Sequence, residues 1–206
     1  MNVPTSTAAV AANLALALGG ALLALSASLA ARPATRGSHF GWGVISGLAC
    51  AILGLAAAIR AADSGGLLAA LLHLVTVVLA GALAALSLPP RSPEPTGNTT
   101  LGAVGRGLAW LALVGLPPTL GFHAKVTLYR ALLITGWGWM AALAMAVSAV
   151  LLLPALREIR SFRAGALSGP RAVSVMALIA LTVVLGCYPY LWLVVNAIAG
   201  RIAGSG

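Results

Sequence analysis

The chain has 206 residues, of which 61% are hydrophobic and 7% charged, and its mean hydropathy is +1.04. So little polar surface cannot cover a water-soluble globule, which excludes a soluble domain and predicts an all-α, polytopic membrane protein. The formal net charge of +9 does not point to nucleic acid, because the arginines gather in a few connections between apolar runs and so read as a topology signal.

At roughly 20 apolar residues per crossing, the chain divides into about six spans within one membrane domain. In chain order they are A (Ala8–Ala30), B (Gly41–Arg60), C (Gly66–Leu88), D (a composite, Arg106–Gly136), E (Trp137–Leu156) and F (Ala172–Ile198). Span A follows Met1 without a basic n-region, and its apolar run exceeds a signal-peptide core, so it is read as a retained span. Arg32 and Arg36 lie between A and B, Arg91 and Arg106 flank the C–D connection, and Arg157, Arg160, Arg163 and Arg171 crowd the E–F connection. The opposite side has Arg60 and Arg201, with Arg130 near it. The positive-inside rule therefore places loops 89–105 and 157–171 in the cytoplasm and both termini outside. The E–F loop is read either as solvated against lipid headgroups or as a contact for a cytoplasmic partner.

Small residues are frequent in A, B and C, which permits close approach of helix backbones and fits packing against other helices in a complex. Trp42, Trp110, Trp137, Trp139 and Trp192 fall near span ends, where an aromatic belt is expected. Cys50 and Cys187 sit in separate spans without metal-ligand spacing and are read as packing residues. The C–D connection, "PPRSPEPTGNTT", is a polar, proline-rich turn or linker.

Span D carries the chemistry. As one helix it would be about 46 Å long at 1.5 Å per residue, well beyond the roughly 30 Å hydrocarbon core. Pro117 and Pro118 lack backbone N–H groups and exclude the helical conformation from the residue before each, so the helix is expected to stop near Gly115. Gly121 permits unusual backbone angles before helical structure resumes at about Leu120–Phe122. One reading is a plain proline kink. The other is a broken helix of the transporter kind, since irregular backbone at membrane depth is tolerated only against protein or a water-filled cavity.

Lys125 sits just past this interruption, among Phe122, Ala124, Val126 and Leu128. A cation there costs several kcal/mol unless it finds a partner or water, and an amine so placed can gain and lose a proton. The alternative is a lysine that snorkels to an interface. Tyr129 follows at i+4 and can reach the same water, whereas Arg130 lies about 140° around the helix and is read as snorkelling. Two histidines are candidate relays: His73, mid-span in C beside Thr76, and His123, on roughly the opposite helix face from Lys125. For His73 the competing account is a neutral ring hydrogen-bonded to a backbone carbonyl or to Thr76. His39, at a loop edge, is read as solvated.

The stretch "ALVGLPPTLGFHAKVTLYRALL" resembles the second broken helix of the antiporter-like membrane subunits of respiratory complex I, nearest to subunit N (subunit 2 in mitochondria), which are related to cation/proton antiporter subunits. Gly115, Leu116, Pro117, Pro118, Gly121, Phe122 and Lys125 match the family's pattern S-L-A-G-[IL]-P-P-x-x-G-F-x-x-K position by position. A weaker echo, "VVLGCYPYLW", resembles the end of that subunit's last helix, and the similarity covers D, E and F. The resemblance implies that Lys125 lies on a half-channel leading to the outer aqueous side. It also implies residence in a bacterial inner membrane or an equivalent energy-converting membrane. Its implied partners are lipid and the other membrane subunits of a complex I-like assembly, with no nucleic acid.

The family is built from two inverted five-helix repeats, with a membrane glutamate and lysine in the first and a further lysine at the centre. The present chain is too short for both repeats and is expected to be truncated to about the C-terminal half. Asp63, Glu94 and Glu158, its only acids, fall in loops, and A to C contain no lysine. The leading expectation is thus a subunit-N-like component of a redox-driven translocating complex, contributing part of a proton path around Lys125, with His73 as a candidate partner. No cofactor site is expected in the chain; quinone and redox centres would belong to partner subunits. The alternatives are a degenerate structural or assembly subunit that conducts nothing, and a free-standing small carrier, monomeric or dimeric.

Overall fold

The computed structural model describes residues 4–32, 36–87, 99–161, 167 and 169–187. The described residues form seven α-helices: α1 (Pro4–Ala30), α2 (Arg36–Ala61), α3 (Ser64–Leu86), α4 (Thr99–Val114), α5 (Leu120–Ile134), α6 (Gly138–Ser161) and α7 (Gly169–Cys187). Five helices, α1, α2, α3, α6 and α7, are long and apolar enough to cross a membrane. With 16 and 15 residues, α4 and α5 reach only about 24 and 22 Å at 1.5 Å per residue, each short of the roughly 30 Å hydrocarbon core.

The helices extend beyond the apolar runs that mark them in the sequence. Residues 99–105, expected in a loop, form the first turns of α4, and α6 runs on through Ser161 into the expected E–F connection. Counting apolar residues finds the hydrocarbon-crossing part of a helix and misses the turns that project past it. The end of span F, including Trp192 and the "YPYLW" echo, lies outside the described residues, as does Arg201.

In the interior, α4 and α5 touch α2, α3, α6 and α7, while α1 packs on α2 and α6. The largest buried cluster joins Leu23 of α1, Cys50 and Leu53 of α2, Trp110 of α4, Leu128 and Leu132 of α5 and Leu151 of α6. The α2–α3 contact rests on paired glycines: a Cβ at Gly66 would overlap the Ala58 amide nitrogen and lie 2.7 Å from the Gly54 carbonyl oxygen. Dispersion across such close backbone contacts is a main source of helix association where lipid removes the hydrophobic drive.

Two expectations about large side chains are corrected. Trp110 is fully buried, with its ring edge-on to Phe40 at 5.4 Å between centroids, so it is a core residue rather than a belt anchor. Arg106 is buried too, with its guanidinium 4.6 Å from the Phe40 ring centroid, so it acts as packing inside α4 as well as a charge near a loop. Both follow from α4 starting at Thr99, which carries them deeper into the bundle. His39 is half-buried in the first turns of α2 rather than at a loop edge. At the start of α7, Arg171 Nε donates to the Leu86 carbonyl at 2.8 Å, a cation at the carbonyl end of α3.

Candidate functional site

The end of α4 is built by its own chemistry. Gly115 adopts φ +81°, the Leu116 N–H donates to Leu111 O at 2.9 Å, and the Gly115 N–H reaches Ala112 O at 3.2 Å. This is a Schellman stop with glycine in the left-handed position. In a continuing helix the carbonyls of Leu113 and Val114 would accept from residues 117 and 118. Both are proline and have no N–H to give. The chain turns through Leu116–Thr119, and α5 starts at Leu120 with Thr119 as N-cap; the Thr119 hydroxyl donates back to Leu116 O at 2.7 Å. A second Schellman stop ends α5, where Gly136 has φ +81° and the Trp137 N–H donates to Leu132 O at 2.8 Å.

Lys125, the chain's one lysine, reaches back across the interruption. It is 5% exposed, and its Nζ donates to the freed Val114 carbonyl at 2.6 Å and to Ser148 Oγ on α6. The Ser148 hydroxyl donates in turn to Ala144 O at 2.7 Å, which leaves its oxygen to accept from the amine. The Lys125 stem passes over Gly115, where a Cβ would lie 2.5 Å from Cδ and 2.9 Å from Cε. Both partners of Nζ are neutral oxygens, and one is the carbonyl end of a helix, where a cation is favoured.

A cavity of about 200 Å³ adjoins the amine, with Leu116, Phe122, Val126, Tyr129 and Met145 among its walls. Tyr129 lines it as the i+4 spacing predicts, and its side chain also interacts with Ser148. Arg130 lies elsewhere: it borders a second cavity of about 410 Å³ together with Asp63, Ser64 and Thr127.

The two candidate histidines differ. His73 is 3% exposed; its Nδ1 lies 2.8 Å from Ala69 O, and its buried Nε2 has no hydrogen-bond partner among the described residues. Thr76 bonds to Leu72 O at 2.7 Å, so the backbone partner of His73 is a carbonyl and not the threonine. With Nδ1 as the donor, Nε2 carries a free lone pair. Both His73 and Cys50 are within electrostatic reach of Lys125. His123 points away, its Nε2 lying 2.7 Å from Gly186 O and so joining α5 to α7.

Bare backbones hold the interruption in place. A Cβ at Gly121 would overlap the Ala112 carbonyl oxygen, and one at Gly186 would overlap the carbonyl oxygen of Pro118. Helix α7 thus lies directly against the turn, and α5 directly against the last turn of α4. Sequence reasoning missed Ser148, although it is the one hydroxyl in the apolar run from Gly138 to Leu156. It also missed the nearness of Cys50 to Lys125, for which the sequence carries no local sign.

No family model and no curated protein matches the chain. Among solved structures it is similar to a chain of the Mrp complex from Dietzia sp. DQ12-45-1b, with a TM-score of 0.71 and 20% identity, over 91% of this chain and 46% of that one. At that identity the likeness is one of fold, and the chain spans about half the length of its structural neighbour, 46%.

Proposed function

We propose that the chain is a membrane component of an antiporter-like, ion-translocating complex, of the type of complex I subunit N, and that Lys125 is a proton-exchanging group on its path. One observation carries this reading: the amine is held at the broken end of α4 by a carbonyl that Pro118 leaves without a donor, and it borders a cavity. The motif from Gly115 to Lys125 and the shared fold with a chain of the Mrp complex support it. In this reading α4 and α5 together make one discontinuous span.

The hydrogen-bond roles describe how exchange would work. An ammonium has three N–H donors, of which Val114 O and Ser148 Oγ take two. The third is left over beside the cavity that Lys125 lines, and its proton can pass to water there while the other two bonds keep the nitrogen in place. Tyr129 supplies a hydroxyl on the same cavity. His73 is the inner candidate for relay, through its free Nε2; His123 serves α7 docking first. The partners in this reading are other membrane subunits, which supply the acids the path lacks and any quinone or redox centre. The membrane is an energy-converting one, with both termini and the α2–α3 turn outside.

A structural subunit is the second reading, and the same bonds favour it, since Lys125 ties α4, α5 and α6 together. The test is Lys125→Ala and Lys125→Gln in the assembled complex, reconstituted in liposomes with ion and proton fluxes followed. Flux falling by tenfold or more in an intact complex, on the order of 1.4 kcal/mol in barrier, supports conduction. Normal flux per complex with reduced assembly establishes the structural role instead.

A further inference from the structure

The larger cavity has no part in the reading above. Opposite charges border it: Asp63 and Ser64 from the α2–α3 turn face Thr127 and Arg130 from α5. Asp63 and Arg130 form no ion pair with each other, and among the described residues neither side chain has a hydrogen-bond partner. Asp63 is the N-cap residue of α3, where a carboxylate ordinarily accepts from the first amides of the helix, yet it makes no capping bond. It lies instead over Gly65, with Oδ2 2.6 Å from where a Cβ would sit. The turn that presents it is tight, and Ala62 takes φ +51°, a left-handed backbone uncommon for a residue with a side chain. Thr127 donates its hydroxyl proton to His123 O at 2.8 Å, which leaves its oxygen to accept.

A ligand suited to this arrangement carries both charges. The Asp63 carboxylate and Thr127 Oγ can accept from an ammonium, and the planar Arg130 guanidinium can donate paired bonds to a phosphate. In phosphoethanolamine an ethylene bridge separates those two groups, and the cavity, at about 410 Å³, holds such a head together with several waters at about 30 Å³ each. Its depth in the membrane fits a headgroup as well. Helix α2 ends at Ala61 and α3 begins at Ser64, so the cavity lies at the end of two membrane-crossing helices, where hydrocarbon gives way to the polar layer. The rest of the surroundings is apolar: Val126, Leu133 and Ile134 share the face of α5 that carries Arg130, and all three are exposed. A soluble zwitterion leaves that strip uncovered, whereas a phospholipid lays its acyl chains along it.

We propose that the Asp63–Arg130 cavity is a binding site for the headgroup of phosphatidylethanolamine, with Arg130 taking the phosphate and Asp63 and Thr127 taking the ammonium. The site is independent of the role of Lys125. It separates the common phospholipids by their chemistry. Phosphatidylcholine brings the same two charges, but its quaternary nitrogen has no N–H to donate. Phosphatidylglycerol satisfies Arg130 and sets an anion beside Asp63 without a cation to balance it.

The test is lipid retention by the full chain in native mass spectrometry. Dioleoyl phosphatidylethanolamine, its N-methyl and N,N-dimethyl derivatives, phosphatidylcholine and phosphatidylglycerol are supplied in turn. The expected result is retention that falls with each added methyl, by about fivefold in all from phosphatidylethanolamine to phosphatidylcholine, with phosphatidylglycerol also held less. Asp63→Asn should flatten the methylation series, and Arg130→Gln should weaken retention of every member. Should Arg130→Gln fail to fold, the series in the parent and in Asp63→Asn decides. Equal retention of phosphatidylethanolamine and phosphatidylcholine by the parent overturns the site, and so does a methylation series that keeps its slope in Asp63→Asn. Displacement of the lipid by soluble O-phosphoethanolamine at the same concentration overturns the assignment to a lipid in favour of a soluble zwitterion. None of these results depends on ion flux in Lys125→Ala, so the two proposals fail separately.

Discussion

Lys125 Nζ and the Val114 carbonyl oxygen are 2.6 Å apart, joined across the gap between α4 and α5 by residues 11 positions apart in the chain. The contact requires a carbonyl without a helical donor and a lysine stem with an unobstructed route to it. Pro118 provides the first and Gly115 the second.

Gly115→Ala tests the route, with Gly136→Ala as its control. Both glycines have φ +81°, so alanine pays the left-handed strain of roughly 1–2 kcal/mol at either site. Around Gly136 nothing lies within 4 Å of an added Cβ, whereas at Gly115 the Lys125 Cδ would be 2.5 Å away. Gly115→Ala should therefore lower the melting temperature in detergent more than Gly136→Ala does, and should alone perturb ion flux. Equal effects would mean that the stem does not depend on the bare backbone at Gly115.

Ser148→Ala removes one of the two oxygens that hold the amine. Hydrogen bonds to charged groups contribute about 1.5–3 kcal/mol in water-soluble proteins, but membrane-protein pairs average about 0.6, because the unfolded state in the membrane also finds partners. A loss of about 1 kcal/mol in detergent unfolding is expected. Ser28→Ala, which deletes an exposed bond to Leu25 O within α1, should cost less than half as much. A Ser148→Ala protein as stable as the parent would show that Val114 alone suffices for the amine.

The contrast between these residues shows where sequence reasoning reaches. Pro117, Pro118 and Gly115 act through local covalent geometry, so a missing N–H and a left-handed glycine can be read from the chain, and α4 ends at Val114. The lysine's depth was legible for the same reason, since apolar neighbours surround it in sequence. Its partners were not: Ser148 is 23 residues away, and the Gly186 carbonyl that receives His123 is 63 away. Such contacts depend on which helix faces meet, and α1 and α3 are apolar nearly all round, which leaves little periodicity to say which face turns inward. Trp110 and Arg106 were misplaced because their burial depends on where α4 begins, in a proline-rich stretch whose local signals stop short of the helix.

His123→Leu separates docking from conduction. The ring keeps α7 against α5 through Gly186 O, and deleting one such bond within a membrane protein costs about 0.6 kcal/mol on average. Amide exchange in α7 should speed up, most of all toward Cys187, while flux per intact complex changes less than with Lys125→Ala. A flux loss as deep as that of Lys125→Ala, with exchange in α7 unchanged, would place His123 on the path itself.

Gly121→Ala and Gly186→Ala probe the turn from its two sides. Each added methyl would overlap a carbonyl oxygen, of Ala112 in one case and of Pro118 in the other, and backbone cannot rotate aside as a side chain does. Overpacking typically costs about 1–3 kcal/mol, and backbone contact puts both near the top of that range. The consequences for the amine differ, because Gly121 lies in α5, the helix that carries Lys125, whereas Gly186 lies in α7. Displacing α5 from the last turn of α4 lengthens the Lys125–Val114 contact directly, so Gly121→Ala should lower both stability and flux. Gly186→Ala should mainly loosen α7, matching His123→Leu in amide exchange. If the two glycine variants instead lose flux equally at equal stability, α7 contributes to the site as much as α5 does, and α5 has no division between a conducting face and a docking face.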